Sequence, residues 1–252
     1  MTQSVSKGVK EKLRRAHMHR KDLKRRVERF NDSHAYSSVP EVHVETGQRL
    51  WRVDIQKRPP LIRWGALIGE CLFNFRSALD HLAYDLAVAY SGFPLPPKVE
   101  EQSEFPIFWS KAPTKRDLDR RIRAIHPEAR NLIEQMQPYG RKDRAALKYL
   151  DALHNFDKHR TLLLLAGVGV GLVEFGSGMY TFVNFSPLKD GDVLAIKPLS
   201  GNPEDQQNPN FLFGIAFAEE TPGAAAPNVV TTLDWIGQHI EGGVIEPLLP
   251  YL

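Results

Sequence analysis

Two stretches of this sequence combine acid/base groups with phosphate-binding groups inside otherwise apolar surroundings. The first runs Arg76-Ser77-Ala78-Leu79-Asp80-His81, with Glu70 and Asn74 before it and Asp85 after it. The second is His154-Asn155-Phe156-Asp157-Lys158-His159-Arg160. Imidazole titrates near neutrality and serves as general acid or base, while guanidinium offers a planar fork of donors to phosphate oxygens. Such groups suit metal-free cleavage of RNA. That reaction takes a proton from the 2′-OH, stabilises charge on the phosphorane and returns a proton to the leaving oxygen. The same types also suit a metal, with Asp80, His81 and Asp85 on one helix facing His154, Asp157 and His159 on another. The motifs that mark such centres are missing, however. Neither stretch holds a Glu-x-x-His pair, no His-Glu-x-x-His occurs, and Cys71 is the single cysteine, which excludes a multi-cysteine zinc site. No metal or cofactor is expected.

The elements that must position these residues follow from periodicity. Leu61 to Tyr90 reads as one long helix, with Leu67, Cys71, Phe75, Leu82, Leu86 and Ala89 on a continuous apolar face. Glu70, Asn74, Ser77, His81 and Asp85 follow at steps of four, three, four and four, so they form a polar seam on the same helix. Arg76 and Asp80, four apart, are placed to form an ion pair. Without a ligand, the seam is a hydrogen-bonded join between packed helices. The second cluster ends a helix from Asp143 to His159. Lys158, His159 and Arg160 suit a helix C-terminus, where free carbonyls favour cations, but His154, Asn155 and Asp157 need another explanation.

Around these two helices the remaining patterns give an α+β fold: a helical bundle with an N-terminal β-hairpin and a C-terminal antiparallel β-sheet followed by a helix. Residues 1–38 hold a basic helix, in which Lys7 to Arg29 carries eleven Lys or Arg against Glu11, Asp22 and Glu28. Val9, Leu13, Ala16, Leu23, Val27 and Phe30 give it a thin apolar stripe. Its charged face suits nucleic acid or acidic lipid, or simply water. Residues 39–160 hold the hairpin, Val42 to Ile55 around Thr46-Gly47, and the bundle. Proline at 94, 96 and 97 ends the long helix and a loop with Phe105-Pro106-Ile107-Phe108 follows, then helices at about Thr114 to Ile125 and Pro127 to Gln137. Residues 161–252 hold four strand patterns, LLLLAGVGVGLVEF, MYTFVNF, DVLAIKPL and FLFGIAFAEE, and a last helix capped by Asn228.

Bulk properties narrow the setting. With 252 residues, 42% hydrophobic and 25% charged, the chain has enough apolar mass to fold without staples. One cysteine points to a reducing compartment. The N-terminus lacks a secretory apolar region and the longest apolar run, Leu162 to Val173, is short and broken by glycine, so a cytoplasmic protein without a membrane partner is expected. There is no Walker A loop, no Gly-x-Gly-x-x-Gly after a strand and no Gly-x-Ser-x-Gly elbow, which argues against nucleotide hydrolysis and serine esterase chemistry.

Arg76 and His81 match the R-x4-6-H spacing of HEPN (higher eukaryotes and prokaryotes nucleotide-binding) domains, and RSALDHLAYDL resembles the helix that carries that motif. Arg14 with His19, Arg29 with His34, and Arg120 or Arg121 with His126 satisfy the same spacing, but only Arg76 and His81 lie in a long apolar helix. The resemblance covers Leu61 to Arg160, the helical part. Ser77 stands where the family often has Asn, Asp or His. The resemblance implies a metal-independent ribonuclease or RNA-binding protein, working as a homodimer. His81 would be the acid/base, Arg76 would hold phosphate, Asp80 or Asn74 would orient them, and the His154 to Arg160 cluster would bind. A non-enzymatic interaction protein is the competing reading.

Overall fold

The elements form an α+β architecture in which one long helix carries most of the packing. The computed structural model describes residues 6–140, 144–160, 162, 164–175, 178–184, 188–198, 213–218 and 228–252. Helix α1 (Lys7–Asp32) begins where Ser6 Oγ accepts from the Val9 amide at 3.3 Å. Its buried residues Val9, Ala16 and Leu23 recur every seven positions, a narrow stripe that lies along α2 (Leu61–Ser91). Many of its charges are answered locally: Arg14 and Arg15 by Glu11, Arg25 and Arg26 by Asp22. Arg20 pairs with Asp234 at 2.8 Å and His17 with Glu241 at 2.7 Å, tying the helix to the C-terminal end of the chain. The "basic helix" is therefore part of the bundle, with its stripe in the main core.

Helix α2 buries residues from Trp64 to Ala87 and stops at Gly92, whose φ of 83° suits a residue without a Cβ. The proline-rich stretch after it contains a short helix that the prolines alone did not suggest, α3 (Pro97–Gln102), with Pro97 in its first turn. Helix α4 (Lys115–Ile122) opens on a reciprocal Thr114/Asp117 capping box. Then come α5 (Pro127–Gln135), α6 (Ala145–His159) and α7 (Val229–Gln238), the last capped by Asn228 Oδ1 as expected, at 2.9 Å from the Val230 amide. The chain continues from α7 through a π-helical turn, His239–Ile245.

The strands make the expected N-terminal hairpin and C-terminal antiparallel sheet, with one strand of the C-terminal part added to the hairpin so that both sheets have three strands. β1 (Tyr36–His43) and β2 (Gln48–Ile55) form the hairpin, and β5 (Val193–Pro198) adds to β2 in the order β1-β2-β5. β3 (Leu164–Phe175), β4 (Gly178–Asn184) and β6 (Phe213–Phe217) form the other sheet, in the order β4-β3-β6. β5 crosses to the hairpin because Trp51 and Val53 of β2 need an apolar cover, which Leu188 and Leu194 supply in a small separate core. Residues before and after position 160 thus share a sheet. Among the described residues, no helix is long and apolar enough to cross a membrane.

Candidate functional site

Arg76 and Asp80 sit on the side of α2 that meets the loop from Ser103 to Ser110, and together they grip one residue of that loop. Arg76 Nη2 donates to the Phe105 carbonyl at 2.7 Å, and the Phe105 amide donates to Asp80 Oδ1 at 3.1 Å. The expected ion pair closes the triangle at 3.0 Å. Phe105 itself is fully buried. From the far side, buried Gln137 accepts from the Phe108 amide at 2.8 Å and donates to the Pro106 carbonyl at 2.9 Å. The backbone groups of a loop without secondary structure need such partners, and side chains from α2 and the end of α5 provide them. Burial pushes the Asp80 carboxyl above the usual carboxylate range, against the downward pull of Arg76.

Beside this loop, α2 and α6 bound a cleft of about 450 Å³. Arg76, Ser77 and Asp80 line it from α2; His154, Asn155 and Lys158 line it from α6. The two polar clusters of the sequence do meet, through these six residues. His154 is 5% exposed, and its burial, followed by the nearby charges of Lys158 and Arg76, pushes its imidazole down to about 4. It is neutral at physiological pH. His154 Nε2 and Arg76 Nη1 are buried atoms with no hydrogen-bond partner among the described residues. Leaving such a group unpaired costs about 1–3 kcal/mol, and a ligand that satisfied either atom would first have to displace what covers it. Phe73, 48% exposed, lies between the Lys12 ammonium at 5.0 Å and the His154 ring at 6.2 Å.

The other predicted residues lie elsewhere. Five positions along a helix turn the side chain through about 500°, some 140° from where it began, so Arg76 and His81 cannot share a face of α2. His81 instead lies over the start of α1, where a Cβ on Gly8 would fall 2.7 Å from its Nδ1. Asn74 is buried and donates to the Glu70 carbonyl one turn back in its own helix. Asp157 rests on α2 at Gly69, so closely that a Cβ there would lie 2.2 Å from Oδ2. Burial and the neighbouring Glu70 raise its carboxyl. His159 and Arg160 are exposed and outside the cleft, with the Arg160 guanidinium 5.9 Å from the Phe156 ring. Among the described residues no three His, Cys, Asp or Glu side chains are grouped to hold a metal, so the six metal-ligand candidates do not converge.

The cleft also contains residues that the sequence reading passed over. Asp151 accepts from Trp109 Nε1 at 2.9 Å and from Asn155 Nδ2 at 3.1 Å, which fixes the Asn155 side chain at the rim. Arg121 of α4 pairs with Glu104 across it, and its guanidinium lies 5.1 Å from the Phe108 ring. Asp151 stands one turn before His154 and Asn155, a spacing that could have flagged it; nothing local flags Arg121. A larger cavity of about 690 Å³, between Tyr36, the Arg58 to Arg63 turn and Leu164 to Ala166, is mainly apolar and gathers no comparable set of polar groups. No protein-family model matches the chain, and no curated protein or solved structure was found to match it.

Proposed function

We propose that the α2–α6 cleft binds the sugar-phosphate backbone of RNA, and that the chain is an HEPN-like RNA-binding protein. The observation that carries this reading is the pairing, in one cleft, of an arginine with a free donor and a neutral imidazole with an unpartnered nitrogen. A ribonucleotide offers both complements: phosphate oxygens to accept from Arg76, Lys158 and Asn155, and a 2′-hydroxyl that can donate to imidazole. A base can stack on Phe73 or Phe108 by displacing the Lys12 or Arg121 cation that lies over each ring. A homodimer, implied by the family resemblance, belongs to the same proposal.

Metal-independent cleavage is the second reading, favoured by the neutral state of His154. An unprotonated imidazole can take the 2′-OH proton as that oxygen bonds to phosphorus, with Arg76 stabilising the phosphorane, and the imidazolium can return the proton to the 5′-oxygen as its bond to phosphorus breaks. His154 then fills the place that the motif spacing gave to His81. The test is a fluorescent RNA oligonucleotide titrated into wild type, Arg76→Ala, His154→Gln and His81→Ala, with product analysis in EDTA. Weaker binding by the Arg76 and His154 variants, with His81→Ala unchanged, is expected. Equal binding by all four proteins refutes the cleft as the RNA site. Intact RNA after long incubation with wild type refutes cleavage and leaves binding.

A further inference from the structure

A second concave surface lies beside the cleft, on the other side of α4. It is a cavity of about 560 Å³ walled by Lys98, Lys115, Arg116, Arg120 and Arg123. All five side chains belong to exposed residues, and none has an ionic partner among the described residues. The carboxylate on its wall, Asp119, is 3.7 Å from Arg130. Arg116, Arg120 and Arg123 stand at i, i+4 and i+7, so they form one stripe of α4. Like charges at that spacing repel and weaken a helix, and no ion pair among the described residues offsets them. On α1, by contrast, arginines at similar density are matched by Glu11 and Asp22. Arg120 and Arg123 stand at the C-terminal end of α4, where free carbonyls favour cations, but Arg116 lies in its first turn, where they do not.

The cavity and the cleft touch at two places. Arg120 lines the cavity and its neighbour Arg121 lines the cleft; Gln102 lines the cavity and Glu104, two residues on, lines the cleft. Neighbouring side chains on a helix point about 100° apart, so the two surfaces lie on adjoining faces of α4 and a single strand passing between them must round the helix. From this adjacency and the exposed cations we propose that α4 is a second phosphate-backbone site, which extends the RNA path from the cleft across the Arg116–Arg120–Arg123 stripe. The inference rests on the RNA reading of the cleft for the direction of the path. The cations themselves stand apart from it. A concave wall follows a strand better than it lies on a flat lipid surface, and the flat faces of Phe73 and Phe108 in the adjoining cleft favour a nucleic acid over an acidic peptide.

The test uses full-length protein and two single-stranded RNA probes, about three and about twelve nucleotides long, titrated at several salt concentrations. The variants are Arg116→Glu/Arg120→Glu/Arg123→Glu on α4, Lys98→Glu/Lys115→Glu on the opposite wall, and Arg76→Ala in the cleft. Wild type should bind the long probe at least tenfold more tightly than the short one. The α4 variant should lose that advantage, and the slope of log affinity against log salt should shrink by about 2, three contacts at roughly 0.7 each. It should still bind the short probe. If the α4 variant melts early, the Lys98/Lys115 variant carries the same expectation. Long-probe affinity unchanged in both variants overturns the proposal. Loss with α4 and no loss with Arg76→Ala leaves the α4 site standing and removes the cleft from the path. Competition by an acidic peptide or anionic vesicles as strong as that by RNA reassigns the surface and overturns the RNA path.

Discussion

Replacing His154 by Gln should remove a specific part of the protein's acid sensitivity. The imidazole is held neutral in the fold and titrates normally in the unfolded chain, so as pH falls the unfolded state takes up a proton that the folded state refuses. A lowered histidine pKa gives stability that is complete above the unfolded value and is lost as pH drops toward the folded one. The displacement from 6.5 to about 4 corresponds to roughly 2 kcal/mol lost by pH 5 and about 3 kcal/mol by pH 3.5. Against a total stability of about 5–15 kcal/mol, the loss at pH 5 is readily measured. Asp80 and Asp157 act in the opposite sense, because their raised carboxyls favour the folded state as they protonate. They are present in both proteins, so the difference between wild type and variant isolates His154. Urea unfolding at pH 8, 6.5 and 5 provides the comparison, with an NMR titration of the imidazole as an independent check. A variant that loses as much stability as wild type over this range, or an imidazole that titrates near 6, refutes the burial argument.

Three further outcomes test the frame around the cleft. Gly69→Ala places a methyl where the Asp157 carboxylate lies and should destabilise by about 1–3 kcal/mol, seen as a drop in melting temperature; Asp157→Ala in the same background should recover part of it. Gln137→Ala strands the Phe108 amide and the Pro106 carbonyl, with an expected cost of about 1–3 kcal/mol per group left dry and faster hydrogen exchange confined to the loop. Chelator should leave the melting temperature unchanged and elemental analysis should find no stoichiometric Zn, Mn or Fe, since no ligand cluster occurs among the described residues.

Most of the fold was legible because it rests on local signals. The period of α2, the Thr46-Gly47 turn, the first-turn Pro127 and the Asn228 cap each act within a few residues, and each appears at the expected place. The transfer of β5 to the hairpin was not legible. Its cause is the need of Trp51 and Val53 for cover from Leu188 and Leu194, contacts more than a hundred residues apart that leave no periodic trace. The candidate site divides along the same line. That α2 and α6 bring Arg76 and Asp80 to His154, Asn155 and Lys158 follows from two apolar helices having to pack their polar stretches together. The parts taken from R-x4-6-H spacing depend on direction as well as distance. A separation of five turns His81 toward α1, and Asn74 is satisfied inside its own helix.

The grip on Phe105 explains why an arginine buried to 12% exposure persists beside a carboxylate. Withdrawing an ion pair from water costs desolvation that its attraction returns only in part, and this pair is half-buried, with Asp80 still 36% exposed. Here Asp80 Oδ1 also accepts from the Phe105 amide, and Arg76 Nη2 donates to the Phe105 carbonyl, so the pair satisfies a backbone that would otherwise be buried without partners. Asp80 is thereby committed to the loop, while Arg76 keeps Nη1 unpartnered beside the cleft. The two residues thus differ in what they can offer a ligand, although they form one pair. A phosphate meeting Arg76 finds a guanidinium already oriented by Phe105 and Asp80, with little rotamer freedom left to lose on binding. The same fixed geometry ties the orientation of the Arg76 guanidinium to the order of the Phe105–Phe108 loop, so anything that frees the loop also frees that group, and with it the phosphate binding proposed for the cleft.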